Sequence, residues 1–235
     1  IMCGINCLLI PKKVDDNVFD KYRSKVIHAS SLIRHRGPDW SGNYCYNGPN
    51  ESIIMCHERL EIIDPHGGSQ PLIYRYKPMD IFSPKELKEL TSSFRTRNSL
   101  DDLSNDDISN MEFEVALCVN GEIFNYKELM KNCSNYSAMS GSDCEAILAL
   151  YVEHLYNFSN SKTLDFHKLD GQFSFVLYDT FLNRFITSRD PIGITSLYRG
   201  FDSELNFYIA SEMKAISDCN MIKEFDLECL SILPI

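Results

Sequence analysis

MCGINCLLI, Met2 to Ile10, sets a cysteine at the head of an apolar run that reads as a strand from Gly4 onward. Behind the Asp15/Asp16 start signal, Val18, Phe19, Tyr22, Val26, Ala29 and Ile33 recur at helical spacing, so a strand followed by a helix opens the domain. A structural thiol so near a chain start is unusual, because chain ends are seldom well packed. A nucleophile suits the place. With Met2 removed, Cys3 carries a free α-amine of pKa roughly 7.7 to 8.0, a usable base for a thiol ordinarily near 8.5. Ile1 precedes Met2, and we read Met2 as the natural initiator and Ile1 as an added residue. Position alone leaves Cys3 equally open to being a small buried hydrophobe.

Working outward, the loop RHRGPDWSG (Arg34 to Gly42) leads to two strand-like runs, Ser41 to Tyr46 and Ser52 to Leu60, with a Gly/Pro/Asn turn between them. Phe113, Val115, Leu117 and Val119 alternate in FEVALCV, and the turn dipeptide Asn120-Gly121 follows at once. Ser142 and Glu145 form an S-x-x-E box ahead of AILALYVEHL, predicting a helix from about Ser142 to about Leu155. FSFVLYD, RFITSRD and FYIAS add three short strands at Phe173, Arg184 and Phe207. Many short strands joined by tight turns, with two clear helices, point to antiparallel sheets covered by helices. The stretch from about Lys77 to Met111 differs: SPKELKEL can form a short helix capped by Ser83 with Pro84 first, but RTRNSLDDLSNDDISN is polar and acidic. It reads as a mobile surface insertion, a solvated loop rather than a binding segment.

The 235 residues, 44% hydrophobic and 24% charged, have the composition of a globular protein. A net charge of -10 and a pI near 5.1 work against nucleic acid as a partner, since no basic stripe offsets the repulsion. Nine cysteines without a CxxC pair signal neither a metal site nor a complete disulfide framework, and reduced thiols in the cytoplasm are the simpler reading. The positive charge of IMCGINCLLIPKK follows its short apolar run, the reverse of a secretory signal. No apolar run reaches the roughly 18 to 20 residues of a membrane span, so a soluble protein is expected.

A larger set of strings then speaks together: MCGI at Met2, RHRGPDWSG at Arg34, HERLEIIDPHGGSQPL at His57, VNGEIFNYKEL at Val119, SGSDCEAILALY at Ser140, LDGQFSFVLYD at Leu169, RDPIGITSLY at Arg189 and ASEMKAI at Ala210. In content and order they resemble the class II glutamine amidotransferases of the N-terminal-nucleophile superfamily, closely the glutaminase half of asparagine synthetases. The resemblance covers nearly the whole chain outside Lys77 to Met111. It implies one amidotransferase domain over residues 1–235, of α+β class: a four-layer αββα sandwich of two stacked antiparallel sheets flanked by helices.

The resemblance also implies roles. Cys3 matches the nucleophile that attacks the carboxamide carbon of L-glutamine, and Asn120 (side-chain amide) with Gly121 (backbone N–H) matches the oxyanion hole. Arg59 matches the binder of the substrate α-carboxylate, a task that suits two parallel guanidinium donors, and Asp143 the binder of its α-ammonium. Glu122 and the backbone at Ile63 also fall at glutamine-binding positions. Without the strings, Asn120-Gly121 is a hairpin turn, Arg59 a surface charge and Asp143 an acid favoured at a helix N-terminus. His57 is assigned no base role and is read as structural; Arg36, Pro38 and Asp39 are expected to shape the wall near the nucleophile. The domain itself is expected to need no cofactor or metal.

In the resembling enzymes ammonia passes to a C-terminal synthetase domain in cis that uses ATP and magnesium to convert aspartate to asparagine. No SGGxDS-like loop occurs in this sequence, and the closing DLECLSILPI departs from the usual pattern, so that domain is expected to be missing by truncation. A homodimer is compatible with the resemblance. Two alternatives stay open: the glutaminase domain of another class II amidotransferase, though those carry an HTRW-type string where this chain has His57 to Leu60, and a catalytically silent interaction module should Cys3 never become N-terminal.

Overall fold

The computed structural model describes residues 3–61, 67–159, 164–217, 222–224 and 230–234. The first half runs β1 (Gly4–Ile10), α1 (Asp16–Ser31), β2 (Trp40–Asn47), β3 (Ser52–Arg59), β4 (Leu72–Tyr76), α2 (Pro78–Ile81), α3 (Pro84–Asn98) and α4 (Asn105–Asn110). The second runs β5 (Phe113–Ile123), α5 (Tyr126–Asn132), α6 (Glu145–Tyr156), a 3-10 turn at Phe166–Lys168, β6 (Gly171–Asp179) and β7 (Arg184–Arg189). β8 (Tyr198–Phe201), β9 (Phe207–Ala210), α7 (Lys214–Ser217), β10 (Ile222–Glu224) and β11 (Leu230–Pro234) complete it.

The strands form two sheets, ordered β10-β8-β9-β1-β3-β2 and β11-β7-β6-β5-β4, with antiparallel pairing throughout. Strand side chains alternate between faces, and here both faces of the central strands are apolar because both are covered. Odd residues of β1 (Ile5, Cys7, Leu9) and β3 (Ile53, Met55) meet even residues of β5 (Ala116, Cys118) and β6 (Val176, Tyr178) in the layer between the sheets. The opposite parity of β1 and β3 (Leu8, Ile10, Ile54, Cys56) packs against Phe19 and Val26 of α1 and Ala215 and Ile216 of α7. Val115, Leu117 and Val119 of β5 face the helices on the far side, chiefly α6. The result is the expected αββα layering. The parity has a consequence for chemistry: Cys3 continues the series Ile5, Cys7, Leu9, and Asn120 continues Ala116, Cys118, so both point into the space between the sheets at the same end.

Two readings of the sequence are corrected. The stretch read as a solvated surface insertion with one short helix at SPKELKEL is built of three helices, α2, α3 and α4, and contributes to the core: Ile81, Phe82, Phe94 and Ile108 are buried. Its apolar residues are few but well spaced, and Phe94 packs edge-on against Phe113 at 5.1 Å and beside Phe181 at 5.6 Å. Ser83 does cap α3 in a reciprocal box with Glu86, and Ser104 with Asp107 does the same for α4. At α6, by contrast, the S-x-x-E pattern locates the helix but not its cap. The helix starts at Glu145 with no side-chain cap bond, because the Glu145 carboxylate accepts instead from the Tyr136 hydroxyl (2.9 Å), the Met139 N–H (2.8 Å) and the Ser140 hydroxyl. Strands β4 and β8 and helix α5 carry too weak a periodicity to be read from sequence.

Candidate active site

Cys3 stands at the head of β1, whose next residue pairs in register with Glu58 of β3. The Leu60 N–H points at its sulfur at 3.3 Å, and the thiol reaches the Leu60 carbonyl at 3.7 Å. Burial pushes the thiol up from its ordinary value, while the Leu60 N–H and the positive charges of Arg59 and Arg36 pull it back. Arg36 also fixes the backbone, its Nε donating to the Cys3 carbonyl at 2.9 Å while Nη1 pairs with Glu212 at 3.3 Å. Asp39 holds the same loop closed: its N–H donates to the Arg59 carbonyl (3.1 Å) and its carboxylate accepts from the Glu61 N–H (2.9 Å). The RHRGPDWSG segment thus acts through Arg36 and Asp39 as a wall beside the sulfur.

Arg59 is buried, with Nη1 3.4 Å from Glu61. Gly68 lies against it at φ +62; a Cβ there would meet the Ser142 Cβ at 3.1 Å and Arg59 Nη2 at 3.5 Å. Gly68 therefore seats the guanidinium next to the Ser142–Asp143 turn that leads into α6. Arg59 and Ser142, the residue before Asp143, thus both lie against this glycine. The Gly-Gly punctuation of HGGSQP was its only signal in the sequence. Asp143 is buried, its carboxylate accepting from the Ile123 N–H at 2.6 Å. Burial pushes its pKa up and the charge of Glu122 adds to this, with the Ile123 N–H opposing. A cation arriving there relieves both costs. Ile63 lies outside the described residues.

Asn120 is fully buried, yet neither its Nδ2 nor its Oδ1 has a hydrogen-bond partner among the described residues. Buried amide atoms without partners are uncommon in native proteins and ask for an explanation. Gly121 follows at φ +143, a region L side chains rarely adopt, and a Cβ there would lie 2.0 Å from the Gln172 carbonyl. Asn120-Gly121 is thus not a hairpin turn: β5 continues through both residues, in register with Ser174 and Phe173 of β6. Gln70, not singled out in the sequence, steadies this part of β5 by accepting the Val119 N–H at 2.6 Å.

His57 is fully buried and makes no bond to Cys3; its Nε2–H donates to the Val119 carbonyl at 2.7 Å, tying β3 of one sheet to β5 of the other. Burial, with help from Arg59, lowers its pKa from 6.5 to about 4. A depressed histidine pKa stabilises the fold fully above the unfolded value and loses that contribution as pH falls through the window from 6.5 to about 4. Thermal melts of the chain should therefore fall in Tm across this window, and His57→Gln should flatten that slope by an amount reflecting roughly 3 kcal/mol. An unchanged slope in the variant would contradict the role given to His57.

A thiol at a strand end, a buried asparagine amide and an Arg/Asp pair gather at one end of the space between two helix-covered sheets, and comparison with known proteins assigns the class of the chain. Residues 2–84 match one family model described as a glutamine amidotransferase domain, and residues 95–218, just over half of the chain, match another of the same description. The chain belongs to the glutamine amidotransferase family. More particularly, it is similar to glutamine-hydrolysing asparagine synthetases: 39% identical over 217 residues to asparagine synthetase 3 of Arabidopsis thaliana, covering 92% of this chain and 29% of the relative. It is 37% identical over 228 residues to the probable asparagine synthetase of Schizosaccharomyces pombe, covering 95% and 32%. The chain thus spans about a third or less of the length of these relatives. In fold it is similar to the glutamine phosphoribosylpyrophosphate amidotransferase of B. subtilis, with a TM-score of 0.59 at 15% identity, over 98% of this chain and 47% of that one. Among the described residues no helix is long and apolar enough to cross a membrane.

Proposed function

We propose that this domain hydrolyses L-glutamine to glutamate and ammonia through a thioester on Cys3. The observation that carries the reading is the Asn120 amide, buried without a partner among the described residues on the face shared with the Cys3 sulfur. With Cys3 as first residue, its amine accepts the thiol proton and the sulfur attacks the carboxamide carbon. The oxyanion that forms is met by Asn120 Nδ2 and the Gly121 N–H, neutral donors fixed before the reaction begins. Collapse, with return of the proton to nitrogen, expels ammonia and leaves the γ-glutamyl thioester. Water, losing its proton to the same amine, adds to the thioester; the thiol departs and glutamate is released. Arg59 holds the substrate α-carboxylate while Asp143, assisted by Glu122, holds the α-ammonium, which restricts the site to free glutamine.

The ammonia is destined for ATP-dependent conversion of aspartate to asparagine in a synthetase domain in cis. ATP and magnesium belong to that domain, and the glutaminase chemistry requires neither. The similarity to asparagine synthetases supports this destination, and a homodimer working in the cytoplasm is compatible with reduced thiols at every described cysteine. The test is the N-terminus itself. The chain beginning at Cys3 should release ammonia and glutamate in equal amounts, whereas the chain that keeps Met2 should release neither, since an amide nitrogen is no base. Equal activity in the two forms would overturn the mechanism.

A further inference from the structure

Four buried polar atoms lie without partners among the described residues where the two sheets meet beside the nucleophile: His57 Nδ1, Asn120 Nδ2, Asn120 Oδ1 and Ser174 Oγ. Their placement follows from register. Ser174 of β6 is the Cα partner of Asn120, and both share the parity of Ala116, Cys118, Val176 and Tyr178, so their side chains stand side by side on the face between the sheets. Cβ atoms of directly opposed residues lie about 4.5–5.5 Å apart, within reach of a hydroxyl-to-amide bond after a small rotation. His57 reaches the same place from the other sheet, its Nε2–H held by the carbonyl of Val119, the residue before Asn120.

Hydrogen-bond chemistry distinguishes the four atoms. The Val119 carbonyl can only accept, so His57 carries its proton on Nε2, and its neutral ring leaves Nδ1 as an acceptor. Asn120 Oδ1 is likewise an acceptor and Nδ2 a donor. The Ser174 hydroxyl is the one member of the set able to donate to Oδ1. An asparagine amide has two orientations related by a flip of half a turn, nearly equal in shape, and only one presents N–H to an oxyanion. We propose that Ser174 is a positioning residue whose hydroxyl donates to Asn120 Oδ1 during turnover and so fixes the amide with Nδ2 facing the reacting carbonyl. His57 Nδ1 is available to take the second Nδ2 hydrogen, leaving the first for the oxyanion.

This inference rests on the glutaminase reading. In the chain beginning at Cys3, Ser174→Ala should lower kcat about tenfold with KM unchanged, less than the loss of the donor itself because the amide then samples both orientations. Ser174→Thr, which keeps the hydroxyl, should restore most of the rate. In an Asn120→Ala background Ser174→Ala should cost nothing further, a non-additivity that packing damage would not produce. An active chain indifferent to Ser174→Ala, or a loss of the same factor in both backgrounds, overturns the inference alone. A chain inactive on glutamine even with Cys3 first overturns the functional reading and this inference with it.

Discussion

Replacing Cys3 by alanine in the chain that begins at position 3 should reduce ammonia release from glutamine by about 10⁴-fold or more, to the uncatalysed background. The substitution is clean. The α-amine, the Asn120 and Gly121 donors and the Arg59/Asp143 pair all remain, and only the atom that forms the covalent intermediate is removed. Cys3 is only half-buried, and its sulfur contacts the Leu60 backbone without a disulfide, so the fold should survive. Glutamine binding, followed by calorimetry, should persist. Hydroxylamine added during turnover should yield γ-glutamyl hydroxamate from the parent chain, by attack of its nitrogen on the thioester, and none from Cys3→Ala. Ammonia release by Cys3→Ala within tenfold of the parent would mean that another group, or water directly, attacks the amide.

The second large effect is expected at Asn120. Asn120→Ala should lower kcat by about 100- to 1,000-fold, roughly 2.7–4 kcal/mol of transition-state stabilisation, with KM little changed. The split follows from where the donor acts: on the charge of the tetrahedral intermediate rather than on the bound amide. Stability should respond differently from most buried polar substitutions. Removing one partner of a buried hydrogen bond ordinarily strands the other, but the Asn120 amide atoms have no partner among the described residues, so none is stranded. Asn120→Asp, equal in size but anionic, should be at least as inactive, since it sets a like charge against the oxyanion. A rise in KM at constant kcat in Asn120→Ala would reassign the residue to substrate binding.

Much of this was legible in the chain itself. The alternation in FEVALCV and the apolar run after Cys3 located the central strands; that Ala116 and Cys118 between the alternating positions are buried too follows from the second sheet covering their face. The acidic stretch after Lys77 was misread because its few large apolar residues, Phe94 and Ile108 among them, are diluted by charge. Phe94 is buried against Phe113 and Phe181, residues that lie outside the stretch. The box at Ser142 and Glu145 marked a helix start correctly but not the bonds, since the Glu145 carboxylate found better donors in Tyr136, Met139 and Ser140.

The sequence by itself determined the kinds of groups available: a thiol near the chain start, an amide before a glycine, an arginine and an aspartate in recognisable strings. Residue type and local spacing suffice for that, because reactivity and strand periodicity are local properties. Only the tertiary structure decided that these groups share one end of the space between two sheets. Strand register sets side-chain parity, a one-residue slip would send Cys3 or Asn120 to the opposite face, and register is fixed by pairing between residues far apart in the chain. The same long-range pairing left the Asn120 amide beside Ser174 and His57 with no partner among the described residues, which no reading of neighbouring residues could have foreseen.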